Sequence, residues 1–186
     1  MGRRFERGGQ VPDARHLSIG DLKRSVMAGQ TPSNYRQDLL RDHNPYKVDA
    51  AVSRDAIMGI LQEGLEANPA SVVLLDGFPR YQDRLPLFRE TVSELGFQVV
   101  AFCEVRANEE ILRERSIVPR RGRKPATTET FAARITDFNT NIRPTFAEMA
   151  ELYPHHVIDG SLSLEECTEQ LVAIYQRTSQ VETSLI

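Results

Sequence analysis

Short apolar runs alternate along the chain with longer stretches in which apolar residues recur every three or four positions. The runs predict strands at residues 15–17, 71–75, 98–104 and 155–158. The longer stretches predict helices at residues 21–28, 33–42, 53–66, 83–95, 108–115, 128–149 and 164–176. Helices that alternate with short apolar strands are typical of a doubly wound α/β domain, in which helices cover both faces of a parallel sheet.

The run at residues 71–75 ends abruptly in polar and turn-forming residues. Residues 71–80 read S-V-V-L-L-D-G-F-P-R. Ligands of parallel sheets bind just beyond the carboxyl ends of the strands, which is where Asp76 and Arg80 fall. A carboxylate there can hold the water shell of Mg2+, and a guanidinium can bind a phosphate through two parallel hydrogen bonds. The same residues also fit a strand followed by an ordinary turn with solvated charges.

The D-G-F-P-R segment resembles a signature of the nucleoside monophosphate kinases, the family of adenylate kinase and UMP-CMP kinase. Three further segments resemble that family in the same order. The first, H-L-S-I-G-D-L-K-R at residues 16–24, is similar to the start of the monophosphate-binding helices, and the resemblance implies that Arg24 holds the monophosphate. Ser18 or Asp21 is expected to cap this helix. Ile19 replaces a threonine of the family, which removes one hydroxyl contact.

The second segment, residues 51–61, resembles the part of the family in which backbone near Val52 cradles the base. It fits equally well an ordinary amphipathic helix that Ser53 caps. The sequence therefore leaves open whether Val52 contacts a ligand.

The third segment contains a dense group of cations. The group comprises Arg113, Arg115, Arg120, Arg121, Arg123 and Lys124. Cations this close repel one another, so the group indicates an anionic partner, which can be phosphate or nucleic acid. Residues 114–123 resemble the arginine-bearing hinge of the family's lid. By that resemblance Arg115 and Arg120 face the ATP phosphates, while Arg123 and Arg134 touch the phosphates in transfer. An RNA-binding or nuclear-import patch is the alternative interpretation.

The resemblance implies a single nucleoside monophosphate kinase-like domain over residues 1–186, with monophosphate-binding helices at about 33–66 and a short lid at about 116–128. The implied reaction moves the terminal phosphoryl group of ATP, with Mg2+, to a nucleoside monophosphate. AMP is the expected acceptor, with UMP and CMP as alternatives. Asp76 would organise the waters of the metal, and Ser161 would contact the adenine of ATP.

The monophosphate site implied by the resemblance is built around the D-G-F-P-R turn. Its expected members are Gly77, Phe78, Pro79 and Arg80. Arg84 occupies the position from which the family reads the base. An arginine cannot accept a hydrogen bond from the amino group of adenine, so the sequence does not assign the base.

The chain departs from the family at its beginning. The family opens with a strand and a Gly-rich loop, G-x-x-x-x-G-K, that wraps the ATP phosphates, whereas residues 1–15 contain neither an apolar run nor a Gly-Lys pair. In the family this strand lies between the counterparts of strands 71–75 and 98–104, which would otherwise pair together or leave backbone groups unpaired. We therefore expect a P-loop kinase-like fold that lacks its central first strand, and little or no kinase activity.

Two explanations of that departure stay open. The first explanation, which the retained arginines favour, is that the sequence lacks its first segment. The second is that the chain is a diverged relative that has become a non-catalytic nucleotide-binding or sensor protein. RNA binding through residues 113–124 is a third and weaker alternative.

Composition narrows the class of protein further. A chain of 186 residues can form one domain with a sizeable core, and its net charge of -3 argues against a general nucleic-acid binder. No apolar run approaches the length of a membrane span or a secretory signal, so we expect a cytoplasmic protein, with the nucleus as the alternative location. We also expect the protein to be a monomer. Cys103 and Cys167 are expected to be packed thiols, and His155 is expected at the surface.

Overall fold

The computed structural model describes residues 14–42, 54–67, 72–118 and 125–183. The chain divides into two compact units, Met1–Gln98 and Val99–Ile186. Each unit combines helices with short parallel strands, so the protein is a mixed α/β protein, as predicted. The further prediction of a single domain over residues 1–186 stays a prediction.

In its described residues the first unit consists of two parallel strands and four α-helices. Strand β1 (Ala14–Ser18) pairs with strand β2 (Val72–Asp76) in a register that sets Ser18 opposite Asp76. The helices are α1 (Ile19–Met27), α2 (Arg36–Asp42), α3 (Arg54–Glu66) and α4 (Leu85–Glu94), and a 3-10 turn (Gln82–Arg84) leads into α4. Helix α1 contacts both strands as well as α2 and α3, so it is the central packing element of this unit.

Both ends of α1 are closed by side chains. At its start the hydroxyl of Ser18 accepts the N–H of Asp21 at 3.4 Å, which confirms Ser18 as the cap. At its end Arg36 donates to the carbonyl oxygens of Val26 (3.1 Å) and Met27 (3.3 Å). The last carbonyls of a helix lack the usual partner four residues later. Arg36 therefore adds to the turn hydrogen bond that Val26 accepts from the amide of Gly29 at 3.0 Å.

Aliphatic and aromatic side chains from the helices form the core of the first unit. Leu39, Ile60 and Leu61 are fully buried. The ring of Tyr35, the residue just before α2, lies against Gly59 of α3 so closely that a Cβ added at Gly59 would stand 2.0 Å from the ring. The glycine is therefore required by the approach of the two helices.

In its described residues the second unit also contains two parallel strands and four α-helices. Strands β3 (Phe102–Arg106) and β4 (His155–Asp159) pair from Phe102 opposite His155 to Arg106 opposite Asp159. The helices are α5 (Glu109–Ile117), α6 (Thr128–Asp137), α7 (Arg143–Leu152) and α8 (Leu164–Thr183), and a π-helical segment (Phe138–Ile142) joins α6 to α7. Helix α7 packs on both strands and α8 packs on β4.

The larger doubly wound sheet predicted from the sequence is not confirmed. The described strands form two sheets of two strands each, β1 with β2 and β3 with β4. Among the described helices, none combines the length and the apolar character that a membrane crossing requires.

Most predicted elements are present, and two of the differences have identifiable physical causes. Strand β3 begins at Phe102 instead of residue 98, since its ladder starts where the N–H of Phe102 donates to the carbonyl of Pro154 (2.8 Å), the residue just before β4. The helix predicted over residues 128–149 is interrupted by the π-helical segment. Pro144 follows that segment, and proline lacks the N–H that would continue the regular hydrogen-bond pattern.

The carboxylate of Glu104 lies between Arg106 and His155 on the strands of the second unit. Its side chain is 11% exposed, and Oε2 lies 2.8 Å from Nη2 of Arg106 and 3.3 Å from Nε2 of His155. The imidazole of His155 also stacks on Phe102 with a centroid distance of 5.1 Å, so this histidine is half-buried and not a free surface residue. The hydrogen bond from Arg106 holds the pKa of Glu104 below its ordinary value of 4.5.

Acidification is expected to remove the stability that Glu104 contributes. Because its folded-state pKa is lowered, the contribution is fully present above pH 4.5 and is lost as the pH falls through the folded-state pKa. We expect Glu104→Gln to lower the melting temperature at neutral pH by about 2 to 4 °C, the equivalent of about 1 kcal/mol, and to reduce this difference in acid. Calorimetry across that pH range checks the result.

The control is Glu110→Gln, which removes an exposed carboxylate from the first turn of α5. It should keep the pH dependence of the wild type. If the melting temperature falls equally steeply in acid for Glu104→Gln and for the wild type, Glu104 is not the source of this pH dependence.

Candidate functional site

The carboxyl ends of β1 and β2 bring the predicted phosphate site together. Ser18 stands opposite Asp76, and α1 begins directly after Ser18. The positive end of the α1 dipole therefore lies beside a carboxylate at one edge of the strand pair. His16 joins them, since its Nε2 lies 3.6 Å from Oδ2 of Asp76. The sequence reasoning missed His16, although its spacing of two residues from Ser18 puts both side chains on the same face of β1.

Two buried residues anchor the turn that follows β2. Phe78 packs edge to face on Phe88 of α4, with ring centroids 5.8 Å apart. Pro79, joined to Phe78 by a cis peptide bond, is buried as well. Gly77 has a φ of 75°, a conformation that residues with a Cβ disfavour. Because its middle is fixed in the core, the turn leaves Asp76 exposed and Arg80 half-buried on either side.

Arg24 extends from α1 toward the same edge. It lies five positions after Ile19, which corresponds to about 8 Å along the helix axis. Its guanidinium contacts the carboxylate of Asp21, and a Cβ added at Gly20 would stand 3.4 Å from its Nη1. The side chain therefore folds back toward the start of α1, where the helix dipole and a cation together favour an anion.

Arg84, the position expected to read the base, is buried. It is 4% exposed, and its guanidinium carbon lies 4.9 Å from the centre of the Tyr81 ring, which is also buried. A cation above an aromatic ring is held by the negative face of the ring. Arg84 thus packs the segment that follows the turn, and its contact with a base stays a prediction.

Two residues expected at ATP meet in the second unit. Arg115 of α5 donates from Nη1 to the carbonyl oxygen of Gly160 at 2.5 Å. Its Nη2 lies 3.3 Å from the carbonyl oxygen of Leu162 and 3.5 Å from that of Ser161. The structure brings Arg115 and Ser161 together, but it directs the guanidinium to backbone carbonyls. The sequence carried no signal for this contact because the partners are 45 to 47 residues apart.

Further hydrogen bonds hold the loop between β4 and α8, both within the loop and to neighbouring elements. Oδ1 of Asp159 accepts from the hydroxyl (2.6 Å) and the amide (2.9 Å) of Ser161, which hold the pKa of Asp159 below its ordinary range. The amide of Gly160 donates to the carbonyl of Arg106 at 2.6 Å. Ser163 and Glu166 exchange hydrogen bonds at the start of α8 in a capping box.

Of the four remaining predicted site residues, the structure describes one. Arg134 lies exposed on α6. Arg120, Arg123 and Val52 lie outside the described residues. Cys103 and Cys167 lie in β3 and α8, and both thiols are free and half-exposed.

Among the described residues, no group of three or more side chains of the metal-binding types comes together. Mg2+ keeps several of its waters in kinase sites and takes one or two carboxylates besides the substrate phosphates. Asp76, an exposed carboxylate at a strand end, fits that requirement.

Comparison with known proteins finds similarity to adenylate kinases. No family model matches the chain. The chain is 27% identical to adenylate kinase 1 of Nostoc sp. over 85% of its own length and 83% of that enzyme, and 25% identical to adenylate kinase of Methylobacterium radiotolerans over 86% and 82%. It is 30% identical to adenylate kinase of Vanderwaltozyma polyspora over 57% of the chain and 49% of that relative.

Proposed function

We propose that the chain is an adenylate kinase-like nucleoside monophosphate kinase, as its similarity to adenylate kinases at 23% to 27% identity over most of its length supports, and that it binds a nucleoside monophosphate at the D-G-F-P-R edge. The observation that carries this proposal is the register of β1 and β2, which sets the start of α1 opposite Asp76. Two cations flank that edge, Arg24 folded back along α1 and Arg80 at the end of the anchored turn. This combination of a helix start and two guanidinium groups suits a phosphate monoester.

The proposed reaction is transfer of the terminal phosphoryl group of ATP to that monophosphate. Phosphoryl transfer needs little covalent work from a protein. The protein aligns the attacking and the leaving oxygen and neutralises the charge on the three equatorial oxygens of the transferred group. Arg24 and Arg80 would orient the acceptor phosphate, and Arg134 with Arg123 would neutralise the group in transfer. Asp76 would hold a water of Mg2+, the ion that neutralises the ATP phosphates when it is bound.

Fewer residues of the sequence support ATP binding than support monophosphate binding. The loop of residues 159–163 would receive the base of ATP, whereas the 186 residues contain no G-x-x-x-x-G-K segment for the phosphates. We therefore propose that this chain, taken alone, transfers phosphoryl groups slowly. The acceptor is proposed to be AMP, with UMP and CMP as alternatives, and a doubly wound P-loop kinase-like sheet is the architecture that the proposal requires.

A coupled assay of ADP formation from ATP with AMP, CMP, UMP or GMP tests the proposed rate. We expect turnover well below the range of about 1 to 100 per second that kinases reach. Turnover within that range would overturn the proposed impairment and leave the kinase assignment intact. Titration calorimetry with the same monophosphates tests the acceptor site, and the absence of heat with all four would overturn the site itself.

A non-catalytic nucleotide-binding protein is the second candidate function. Two observations favour it. The pairing of β1 with β2 forms the D-G-F-P-R edge, whereas the 186 residues contain no Gly-Lys pair. This candidate requires monophosphate binding together with no detectable transfer even at saturating ATP. Slow but saturable ADP formation would exclude it.

A further inference from the structure

We propose that Arg115 is a positioning residue, which holds residues 160–162 in the shape that receives the base of a nucleotide and does not bind the nucleotide's phosphates. The inference rests on the proposed function for the identity of the ligand. It departs from the sequence-based expectation, which directs the Arg115 guanidinium to the ATP phosphates. The contacts of the guanidinium distinguish the two roles.

The guanidinium of Arg115 is engaged with the loop backbone. Its two terminal nitrogens reach the carbonyl oxygens of three consecutive residues, Gly160 (2.5 Å), Ser161 (3.5 Å) and Leu162 (3.3 Å). Hydrogen bonds from a cation are stronger than those from a neutral donor. To reach a phosphate, Arg115 would have to release these carbonyls, so its present contacts favour a structural task.

The amides of the same loop are engaged as well. Those of Gly160, Ser161 and Leu162 donate to the carbonyl of Arg106 (2.6 Å), to Oδ1 of Asp159 (2.9 Å) and to the carbonyl of Asp159 (3.4 Å). The amide of Ser163 donates to Oε2 of Glu166 at 2.9 Å. Local groups therefore bind the amide side of the loop, and the end of α5 binds its carbonyl side through Arg115. Loss of the guanidinium would release the carbonyl side and loosen the loop, so that its amide hydrogen bonds would open more often.

The shape of the side chain gives a sharp distinction between the two roles. A guanidinium spans several carbonyls because its donors lie in a flat fork, whereas an ammonium is a compact point charge. A lysine at this position would keep the charge and lose the span. If Arg115 positions the loop, Arg115→Lys should behave like Arg115→Ala. If it binds phosphate, Arg115→Lys should retain much of the function.

Hydrogen exchange on the full chain tests the holding of the loop. We expect the amides of residues 161–163 to exchange about tenfold faster in both Arg115→Ala and Arg115→Lys, the change that follows the loss of one hydrogen bond to a charged group. Arg113→Ala is the matched control. It removes a cation from the same helix, where Arg113 pairs with Glu109 and lies over Phe131, and it should leave those amides unchanged. Unchanged exchange in both Arg115 variants would overturn the inference.

Titration with ATP and with inorganic tripolyphosphate, followed through amide chemical shifts, tests the link to the base. Both Arg115 variants should weaken ATP binding about tenfold and leave tripolyphosphate binding as in the wild type. Weakening of tripolyphosphate by Arg115→Ala and its recovery in Arg115→Lys would overturn the inference. If the wild type binds no ATP, the proposed nucleotide site in this unit fails, and the exchange rates still decide whether Arg115 holds the loop.

Discussion

Replacing Gly59 with alanine is expected to destabilise the first unit by about 2 to 3 kcal/mol, the usual effect of forcing extra atoms into a packed core. The added Cβ would lie 2.0 Å and 2.1 Å from two carbons of the Tyr35 ring. The backbone at Gly59 cannot shift cheaply, because it lies inside α3 between the buried residues Met58 and Ile60. Urea denaturation followed by circular dichroism measures the loss.

The same substitution should have the opposite sign once the ring is removed. Alanine is better than glycine in the middle of a helix by about 1 kcal/mol, so Gly59→Ala should stabilise a Tyr35→Ala background by up to that amount. The double-mutant cycle therefore isolates the clash from the intrinsic helix preference. Equal destabilisation by Gly59→Ala in both backgrounds would show that the ring of Tyr35 does not limit the approach of α2 and α3.

Arg80→Ala is expected to weaken the binding of a nucleoside monophosphate about hundredfold. A guanidinium that binds a phosphate with two hydrogen bonds contributes about 3 kcal/mol, because each bond to a charged group is worth at least about 1.5 kcal/mol. Arg80 stands at the end of the turn that Phe78 and Pro79 anchor, so its truncation should not disturb the core. Titration calorimetry with AMP, CMP, UMP and GMP measures the change.

Arg89→Ala provides the control for that experiment. It removes the same charge from an exposed position on α4, nine positions after Arg80. Binding in this variant should match the wild type within a factor of about two, since exposed charges are screened over about 10 Å in ordinary buffer. If both variants weaken binding equally, Arg80 acts through net charge and not as a phosphate ligand.

Patterns within a few neighbouring residues were sufficient to predict most of the elements. The apolar run before Asp76 predicted β2, and Ser18 predicted the start of α1, because a strand pattern and a helix cap are each encoded within a few positions. Gly96 similarly marks the end of α4, where its φ of 76° closes the helix.

Features that depend on distant partners could not be predicted in this way. The start of β3 is set by Pro154, more than fifty residues later in the chain. The contact of His155 with Glu104 depends on the pairing of β3 with β4, and the direction of the Arg115 side chain depends on a loop far along the sequence. In each case the deciding atom belongs to a segment whose position only the folded chain defines.

The parallel register of β1 and β2 makes the candidate phosphate site sensitive to chain length as well as to residue identity. Side chains alternate between the two faces of a strand, so a shift of one residue moves every side chain to the opposite face. A single residue inserted between His16 and Ser18 would either turn His16 away from Asp76 or displace the start of α1 from its place opposite that carboxylate. Such an insertion would disable the site although every one of its residues is still present.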